Sequence, residues 1–141
     1  MTPADPYNLQ RFVDAQALVI DQVRAELRAG RKTSHWIWFI FPQIAGLGYS
    51  PMAQRFAISG REEAQSYLQH SVLGPRLAEC IGLVNAHAGC DIADILGDID
   101  AIKFRSSMTL FAKVAKENQI FLKALQIFCQ GEMDELTLER L

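Results

Sequence analysis

Apolar residues recur at helical spacing along almost the whole chain, and this periodicity limits the folds that the chain can adopt. Hairpin signals such as Asn-Gly are missing, and neither an internal repeat nor a low-complexity linker interrupts the pattern. A chain of 141 residues also has the length of one ordinary domain. The sequence therefore predicts a mainly α-helical fold, a single compact domain over residues 1–141 with about seven to eight helices, several of them short.

Helix-start and helix-stop residues divide the periodic pattern into segments. The dipeptides Asp5-Pro6 and Ser50-Pro51 each predict an N-cap followed by proline at the first helical position. The segment Ser59–Glu62 has the spacing of a capping box. The predicted helices cover residues 6–30, 51–57, 59–70, 71–87, 91–96, 100–115 and 120–129, and Asp134 caps a last short turn.

Composition favours a packed domain over a disordered chain. Hydrophobic residues make up 50% of the sequence and charged residues 21%, which lies well inside the globular range. The formal net charge of -2 gives no support for a general nucleic-acid binder, because phosphate contacts require a basic excess or a basic face. We therefore expect a hydrophobic core and no nucleic-acid partner.

The cysteines and the N-terminus indicate a cytoplasmic protein. Cys80, Cys90 and Cys129 are widely spaced and form no CxxC pair, which favours free thiols over a disulfide framework or a zinc site. The first residues do not form a basic and apolar leader, and no apolar run approaches the roughly 20 residues of a membrane span. We expect the protein to be cytoplasmic and to have no membrane partner.

The segment 34–43 contains both tryptophans of the chain. Its run of bulky apolar residues fits either one buried strand or two turns of buried helix, and Pro42 ends it in both cases. If a helix starts at His35, Trp38 lies one turn further along, near the basic pair Arg31-Lys32.

This grouping suits a flat anionic ligand. Arginine or lysine would pair with phosphate, and an indole would stack on a ring, as in nucleotide sites. The alternative is that the aromatic residues belong to the core and that His35 only bonds a neighbouring carbonyl group. The aromatic residues concerned are Trp36, Trp38, Phe39 and Phe41.

Gly46 and Gly48 form a second candidate site just before the Ser50-Pro51 helix start. They would expose backbone N–H groups to a phosphate at the positive end of that helix. The segment lacks both the GK[ST] ending of a P-loop and the GxGxxG of a dinucleotide fold. Glycines that serve only a tight turn are the alternative.

The third candidate lies in the predicted helix 100–115, where Lys103, Ser106 and Ser107 are expected on the face opposite an apolar stripe. Serine is a mediocre helix former, so two serines in mid-helix favour a ligand contact or close packing. A serine–lysine nucleophile pair would also need a specific geometry. The apolar stripe consists of Phe104, Met108 and Phe111.

The aspartate and histidine positions predict no metal site. Asp91, Asp98 and Asp100 fit no EF-hand loop and are typical of helix caps and first helical turns. His70 and His87 lie at predicted helix ends without partnered cysteines or HExxH spacing, which favours surface or capping roles. We predict neither a metal nor a cofactor.

These segments together resemble a bacterial family known as domain of unknown function 1810, from Asp5 to Leu141. The family is mainly α-helical, so the resemblance implies the same fold class. Ser71 departs from it, since members usually have proline there, which affects only a helix entry. The most specific matches are 34–43, Gly46-Leu47-Gly48, Tyr67-Leu68 with 73–77, and Lys103 with 106–111.

Two functional labels accompany this resemblance. Some members are labelled calpastatin, but that protease inhibitor is disordered, whereas the present composition indicates a core, so we reject the label. The order of an aromatic-rich segment, a leucine-rich helix and a Lys-to-Met helix is also similar to that in proteins that cleave N-glycosidic bonds in ADP-ribose-type compounds. That likeness transfers no catalytic residue.

We hypothesise that the chain binds a phosphorylated, nucleotide-like small molecule, with N-glycosidic hydrolysis as its activity. His35 and Lys103 are the catalytic candidates, and Asp100 is the acidic residue nearest to Lys103. The alternative is a non-catalytic interaction module that docks a partner or a second copy through an aromatic or hydrophobic helical face. The candidate ligand-binding residues are Arg31, Lys32, His35, Trp38, Gly46, Gly48, Lys103, Ser106 and Ser107.

Overall fold

The computed structural model describes residues 4–141. In this range the chain forms ten α-helices and, in place of a sheet, one isolated parallel bridge between Ile44 and Ile58. The helices are α1 (Gln10–Ala17), α2 (Ile20–Ala29), α3 (Ile37–Ile40), α4 (Pro51–Arg55), α5 (Arg61–Gln69), α6 (Leu73–Asn85), α7 (Ile92–Leu96), α8 (Asp98–Val114), α9 (Gln119–Cys129) and α10 (Glu135–Glu139).

The predicted mainly helical fold is confirmed, with more helices than the seven to eight expected. The first predicted helix divides into α1 and α2, because Val19 has a φ of -131° that breaks the helical ladder. The aromatic segment forms the short helix α3, so the strand interpretation of that segment is wrong. Gly30, with a left-handed φ of 73°, ends α2 as predicted.

Two of the predicted N-terminal caps have a different geometry from the one expected. Asp5 is not the residue next to the helix: α1 begins at Gln10, and the Asp5 carboxylate reaches forward to accept hydrogen bonds from the backbone N–H of Leu9 at 2.8 Å and of Gln10 at 3.0 Å. The capping box at Ser59 is also shifted by one residue. The backbone N–H and hydroxyl of Ser59 donate to Glu63, at 2.9 and 2.8 Å, rather than to Glu62.

Local caps elsewhere match the prediction. The Ser50 hydroxyl accepts from the Ala53 N–H at 3.1 Å, and Pro51 is the first residue of α4. Asp134 accepts from the Thr137 N–H at 3.0 Å and caps α10. Both histidine predictions hold as well. Nδ1 of His70 accepts from backbone N–H groups at the start of α6, and Nε2 of His87 lies 2.8 Å from the Leu27 carbonyl oxygen.

α8 is the central helix, and it packs against α3, α5, α7, α9 and α10. Every residue from Ser106 to Ala112 is buried, as is Phe104, whose ring meets Phe41 edge to face at 5.0 Å. The expected apolar stripe is therefore confirmed, but the expectation that Ser106 and Ser107 lie on a face away from the core is wrong. The middle turns of α8, unlike its first turns, have neighbours on all sides, and small side chains let those neighbours approach.

The cysteines within residues 4–141 are free thiols, as predicted. Cys80 is buried and Cys90 is exposed. Burial raises the pKa of the Cys80 thiol to about 12, so this thiol behaves as an apolar core group. No helix in the same range is long and apolar enough to span a bilayer.

Candidate functional site

Glu26, near the end of α2, fixes the backbone that leads into the aromatic segment. Its carboxylate accepts from the backbone N–H of Thr33 at 2.7 Å, from the N–H and hydroxyl of Ser34 at 3.0 and 2.5 Å, and from Trp36 Nε1 at 3.1 Å. Burial alone would raise the pKa of this carboxyl, but hydrogen bonds from Ser34, Thr33 and Gln22 outweigh it and lower the pKa to about 2. Residues 33–36 are therefore held against α2.

Lys32 joins this segment to the start of α8. Its backbone N–H donates to the Ile95 carbonyl oxygen at 2.7 Å, and its ammonium lies 2.7 Å from Asp100 Oδ2. The same ammonium lies 5.1 Å from the centroid of the Trp36 ring. Only 7% of the Lys32 side chain is exposed, so this ion pair is screened little by solvent.

Lys103 approaches the same carboxylate from within α8. Its ammonium lies 3.8 Å from Asp100 Oδ1 and 5.3 Å from the centroid of the Trp38 ring. Asp100 thus stands between two ammonium groups. We call Lys32, Asp100 and Lys103 the Lys–Asp–Lys cluster. Three residues of the predicted site, Lys32, Lys103 and Trp38, are therefore connected by direct contacts. Asp100 is the acid that joins the two lysines.

An open groove of about 510 Å³ runs beside the Lys–Asp–Lys cluster. Residues 32–35 form one wall and residues 96–100 form the other, so that His35 and Asp100 line the same space. His35 is exposed, and no hydrogen bond within residues 4–141 joins its ring to a carbonyl group. Asp98 also lines the groove, so negative charge offsets part of the positive charge there.

Trp38 differs from its aromatic neighbours. Trp36, Phe39 and Phe41 are buried and belong to the core, which is what the core alternative predicted for them. Trp38 is only half-buried, yet its Nε1 atom is shielded from solvent and has no hydrogen-bond partner within the described range. An unpartnered buried N–H lowers stability, and a hydrogen-bond acceptor placed against this donor would recover that loss.

Gly46 and Gly48 lie close to Trp38, and all three line one small cavity. Gly46 has a φ of 97°, which favours glycine. A Cβ atom at Gly48 would lie 2.7 Å from the Ala53 Cβ, so glycine is required there for the loop to approach α4. These contacts account for both glycines as turn and packing residues. The loop that contains Gly46 and Gly48 nevertheless lies next to the Trp38 side chain.

Three of the predicted ligand-binding residues have side chains that form no ion pair or hydrogen bond with the Lys–Asp–Lys cluster or with Trp38 in the described part of the chain. Arg31 is exposed, and within residues 4–141 its guanidinium has no ion pair or hydrogen bond. The Ser106 hydroxyl donates to the Ile102 carbonyl oxygen at 3.1 Å, the usual partner of a serine in mid-helix. Ser107 is 0% exposed, and its hydroxyl lacks a partner within the described range. Neither serine is accessible to attack a substrate.

Two features of the structure were not predicted from the sequence. One is Arg140, whose guanidinium packs against Gly46 although 94 positions separate them in the chain. The other is a cavity of about 590 Å³ between the α5–α6 and α8–α9 connections, lined by Leu68, Ala78 and Phe121 among others. Only long-range packing creates both, and no local motif marks either of them.

Side chains within residues 4–141 form no group of three or more His, Cys, Asp or Glu that could hold a metal ion. The two lysines of the cluster are cationic, and its one carboxylate is already paired with both. The donors present are therefore suited to an anion rather than to a metal ion.

Comparison with known proteins gives a family and a fold. Among curated proteins no significant match is found. The crystal structure of a conserved hypothetical protein from Mycobacterium tuberculosis is similar, with a TM-score of 0.96 and 54% sequence identity over 97% of this chain and 98% of that one. The family model described as "Protein of unknown function (DUF1810)" matches residues 6–141. The chain therefore belongs to the DUF1810 family, as its sequence segments indicated.

Proposed function

We propose that the protein binds a phosphorylated, nucleotide-like small molecule where Lys103 covers the ring of Trp38. The observation that carries this proposal is the position of the Lys103 ammonium, 5.3 Å from the indole centroid and 3.8 Å from Asp100. A cation for phosphate and a half-exposed ring for stacking thus occupy one place on the surface. The unpartnered Trp38 Nε1 adds a donor beside them.

The distances rank the two lysines as phosphate ligands. Lys32 lies 2.7 Å from Asp100 and is almost fully buried, so releasing it would leave a buried ammonium without its carboxylate partner. Lys103 lies 3.8 Å from Asp100 and is 25% exposed, so it can turn toward a phosphate while Lys32 keeps the carboxylate paired. Lys103 is therefore the principal anion ligand, and Lys32 orients Asp100.

We further propose that the site hydrolyses an N-glycosidic bond of its ligand. His35 and Asp100 line the groove beside the cluster, where either could exchange a proton with a bound substrate. In such a reaction water adds to the anomeric carbon, the C–N bond breaks, and a proton passes to the departing nitrogen. His35→Ala tests this step, and a loss of turnover with retained substrate affinity would assign His35 to proton transfer rather than to binding.

Thermal unfolding with a panel of nucleotides, NAD, ADP-ribose and sugar phosphates tests the proposal. A ligand present at about 100 times its dissociation constant stabilises the folded protein by about 2.7 kcal/mol. We expect one phosphorylated ring compound to raise the melting temperature of the wild type and of Lys113→Ala, which removes an exposed lysine from the same helix. Lys103→Ala should fold and lose the shift. An equal shift in both variants would contradict the proposal.

Association is the second candidate function, because two large apolar side chains are exposed one turn apart on α8. Ile99 is 71% exposed and Ile102 is 66% exposed. If they dock a second copy, sedimentation velocity should show a dimer that Ile102→Ser removes and that Leu18→Ser, at an exposed leucine outside α8, retains. A wild-type protein that stays monomeric at high concentration would exclude self-association through this pair.

A further inference from the structure

We infer that Arg140 is an additional anion-binding residue beside Trp38 and that its guanidinium plane recognises a phosphate group of the ligand. This inference rests on the proposed function and extends it to the substrate class, a phosphate monoester or diphosphate that carries a ring.

The backbone near Arg140 is placed by α8. The Thr109 hydroxyl accepts from the Asp134 N–H at 2.9 Å. The Arg105 guanidinium donates to the carbonyl oxygens of Glu132 and Met133, both at 2.9 Å. These bonds hold the entry to α10, and Arg140 is the residue that ends this helix. The position of Arg140 therefore depends on the same helix that carries Lys103.

The guanidinium occupies space that only glycine leaves open. A Cβ atom at Gly46 would lie 2.5 Å from Arg140 Cζ and 3.1 Å from its Nε, so any larger residue would displace the side chain. The φ of 97° at Gly46 independently favours glycine. The Gly46 loop thus contacts the side chain of an arginine that lies 94 residues later in the sequence.

The donors of Arg140 remain available. Arg11, Arg24 and Arg105 each have an ion pair with a carboxylate. In the part of the chain that the structure describes, Arg140 has neither an ion pair nor a side-chain hydrogen bond, and it is exposed. The carboxylates of its own helix, Glu135 and Glu139, are exposed as well. A guanidinium that lies against the Gly46 loop with its N–H donors unpaired offers the planar fork that binds phosphate through two parallel hydrogen bonds.

The same indole connects Arg140 with Lys103. Gly46, which contacts Arg140, lines the cavity that Trp38 also lines, and Lys103 covers the Trp38 ring. One cationic side chain, from α8, therefore lies over the half-buried Trp38 ring, and a second, from the end of α10, lies against the Gly46 loop next to that ring. A ring bearing one phosphate or a diphosphate matches that distribution, because stacking and two cationic contacts act on one molecule.

Isothermal calorimetry with ADP-ribose and inorganic pyrophosphate tests the inference on the full chain. The variants are Arg140→Gln, which removes the charge and leaves a shorter polar side chain, and Arg28→Gln, which makes the same change at an exposed arginine of α2. We expect Arg140→Gln to weaken binding by about tenfold or more, since a hydrogen bond to a charged group is worth that factor. Arg28→Gln should bind as the wild type does.

A second readout does not depend on whether a variant folds. The Nε–H resonance of Arg140 in the wild type should shift during a pyrophosphate titration if the guanidinium contacts phosphate, and should stay in place if Arg140 only clamps the loop. A stationary resonance, or equal affinities of Arg140→Gln and wild type while Lys103→Ala loses binding, would overturn the Arg140 inference alone. If the wild type binds neither probe, both this inference and the proposed function are wrong.

Discussion

At the scale of single residues, Glu26 shows how one buried carboxylate can organise a loop. It is 5% exposed, and it accepts hydrogen bonds from two backbone N–H groups, a hydroxyl and an indole of the segment 33–36. Without these donors a buried charge of this kind would destabilise the fold. Because Lys32 precedes the segment directly, the geometry of the Lys–Asp–Lys cluster depends on Glu26.

Replacing this carboxylate should therefore lower stability in a pH-dependent way. Folding lowers the pKa of Glu26 from 4.5 to about 2, so its stabilisation is complete above pH 4.5 and is lost as the pH falls toward 2. We expect Glu26→Gln to lower the free energy of unfolding by about 2 kcal/mol at pH 7 and by roughly half as much at pH 3. Urea unfolding at both pH values measures this difference.

Glu62→Gln is the matched control, since Glu62 is exposed on the first turn of α5. That variant should unfold within about 0.5 kcal/mol of the wild type at both pH values. A pH-independent loss in Glu26→Gln would mean that the carboxylate acts through its shape rather than through its charge.

At the scale of elements, α6 carries two glycines with opposite surroundings. A Cβ atom at Gly74 would collide with the backbone carbonyl oxygen of Leu68, at the place where α5 approaches α6. A Cβ atom at Gly82, two turns later, would have nothing within 4 Å. Glycine therefore permits a close helix–helix contact at one position and only lowers helix propensity at the other.

Alanine substitution should separate the two roles. Gly74→Ala should destabilise the protein by about 2–3 kcal/mol, because backbone must move to admit the methyl group. Gly82→Ala should stabilise it by about 0.5–1 kcal/mol, as expected for glycine replaced by alanine inside an exposed helix. Chemical unfolding measures the free energy of unfolding of both variants. Equal effects of one sign would show that the α5–α6 approach does not limit residue 74.

At the scale of the whole molecule, the fold is arranged around α8. Five helices contact it, and its middle turns are buried on every side. By contrast, α4 contains no buried residue and consists of five residues. A fully buried helix unfolds only when the whole protein unfolds, whereas a short exposed helix can open locally.

Hydrogen exchange followed by mass spectrometry should reproduce this ranking. Amides in the peptide that covers Ser106–Ala112 should exchange last, with the free energy of global unfolding, and amides of α4 should exchange first. Comparable exchange rates in the two peptides under native conditions would contradict a fold organised by α8. The Gly74→Ala variant should accelerate exchange in α8, if its destabilisation is global.

What the sequence predicted correctly depends on local interactions. The Ser50 cap and the Asp134 cap each involve neighbours three residues away, and both are confirmed. The burial of Ser107 was not predictable, because it depends on helices that come from distant parts of the chain. For the same reason the ion pair between Lys32 and Asp100 was not predictable, since the two residues are far apart in the sequence.

The ion pair between Lys32 and Asp100 also sets an order of events during synthesis. The Glu26 carboxylate and its donors lie within about ten residues of one another, so that unit can close soon after it is made. Asp100 follows Lys32 by about 70 residues, which at roughly 5–20 residues per second takes several seconds. Lys32 therefore lacks its Asp100 partner during that interval, and the Lys–Asp–Lys cluster forms only after the start of α8 has been translated.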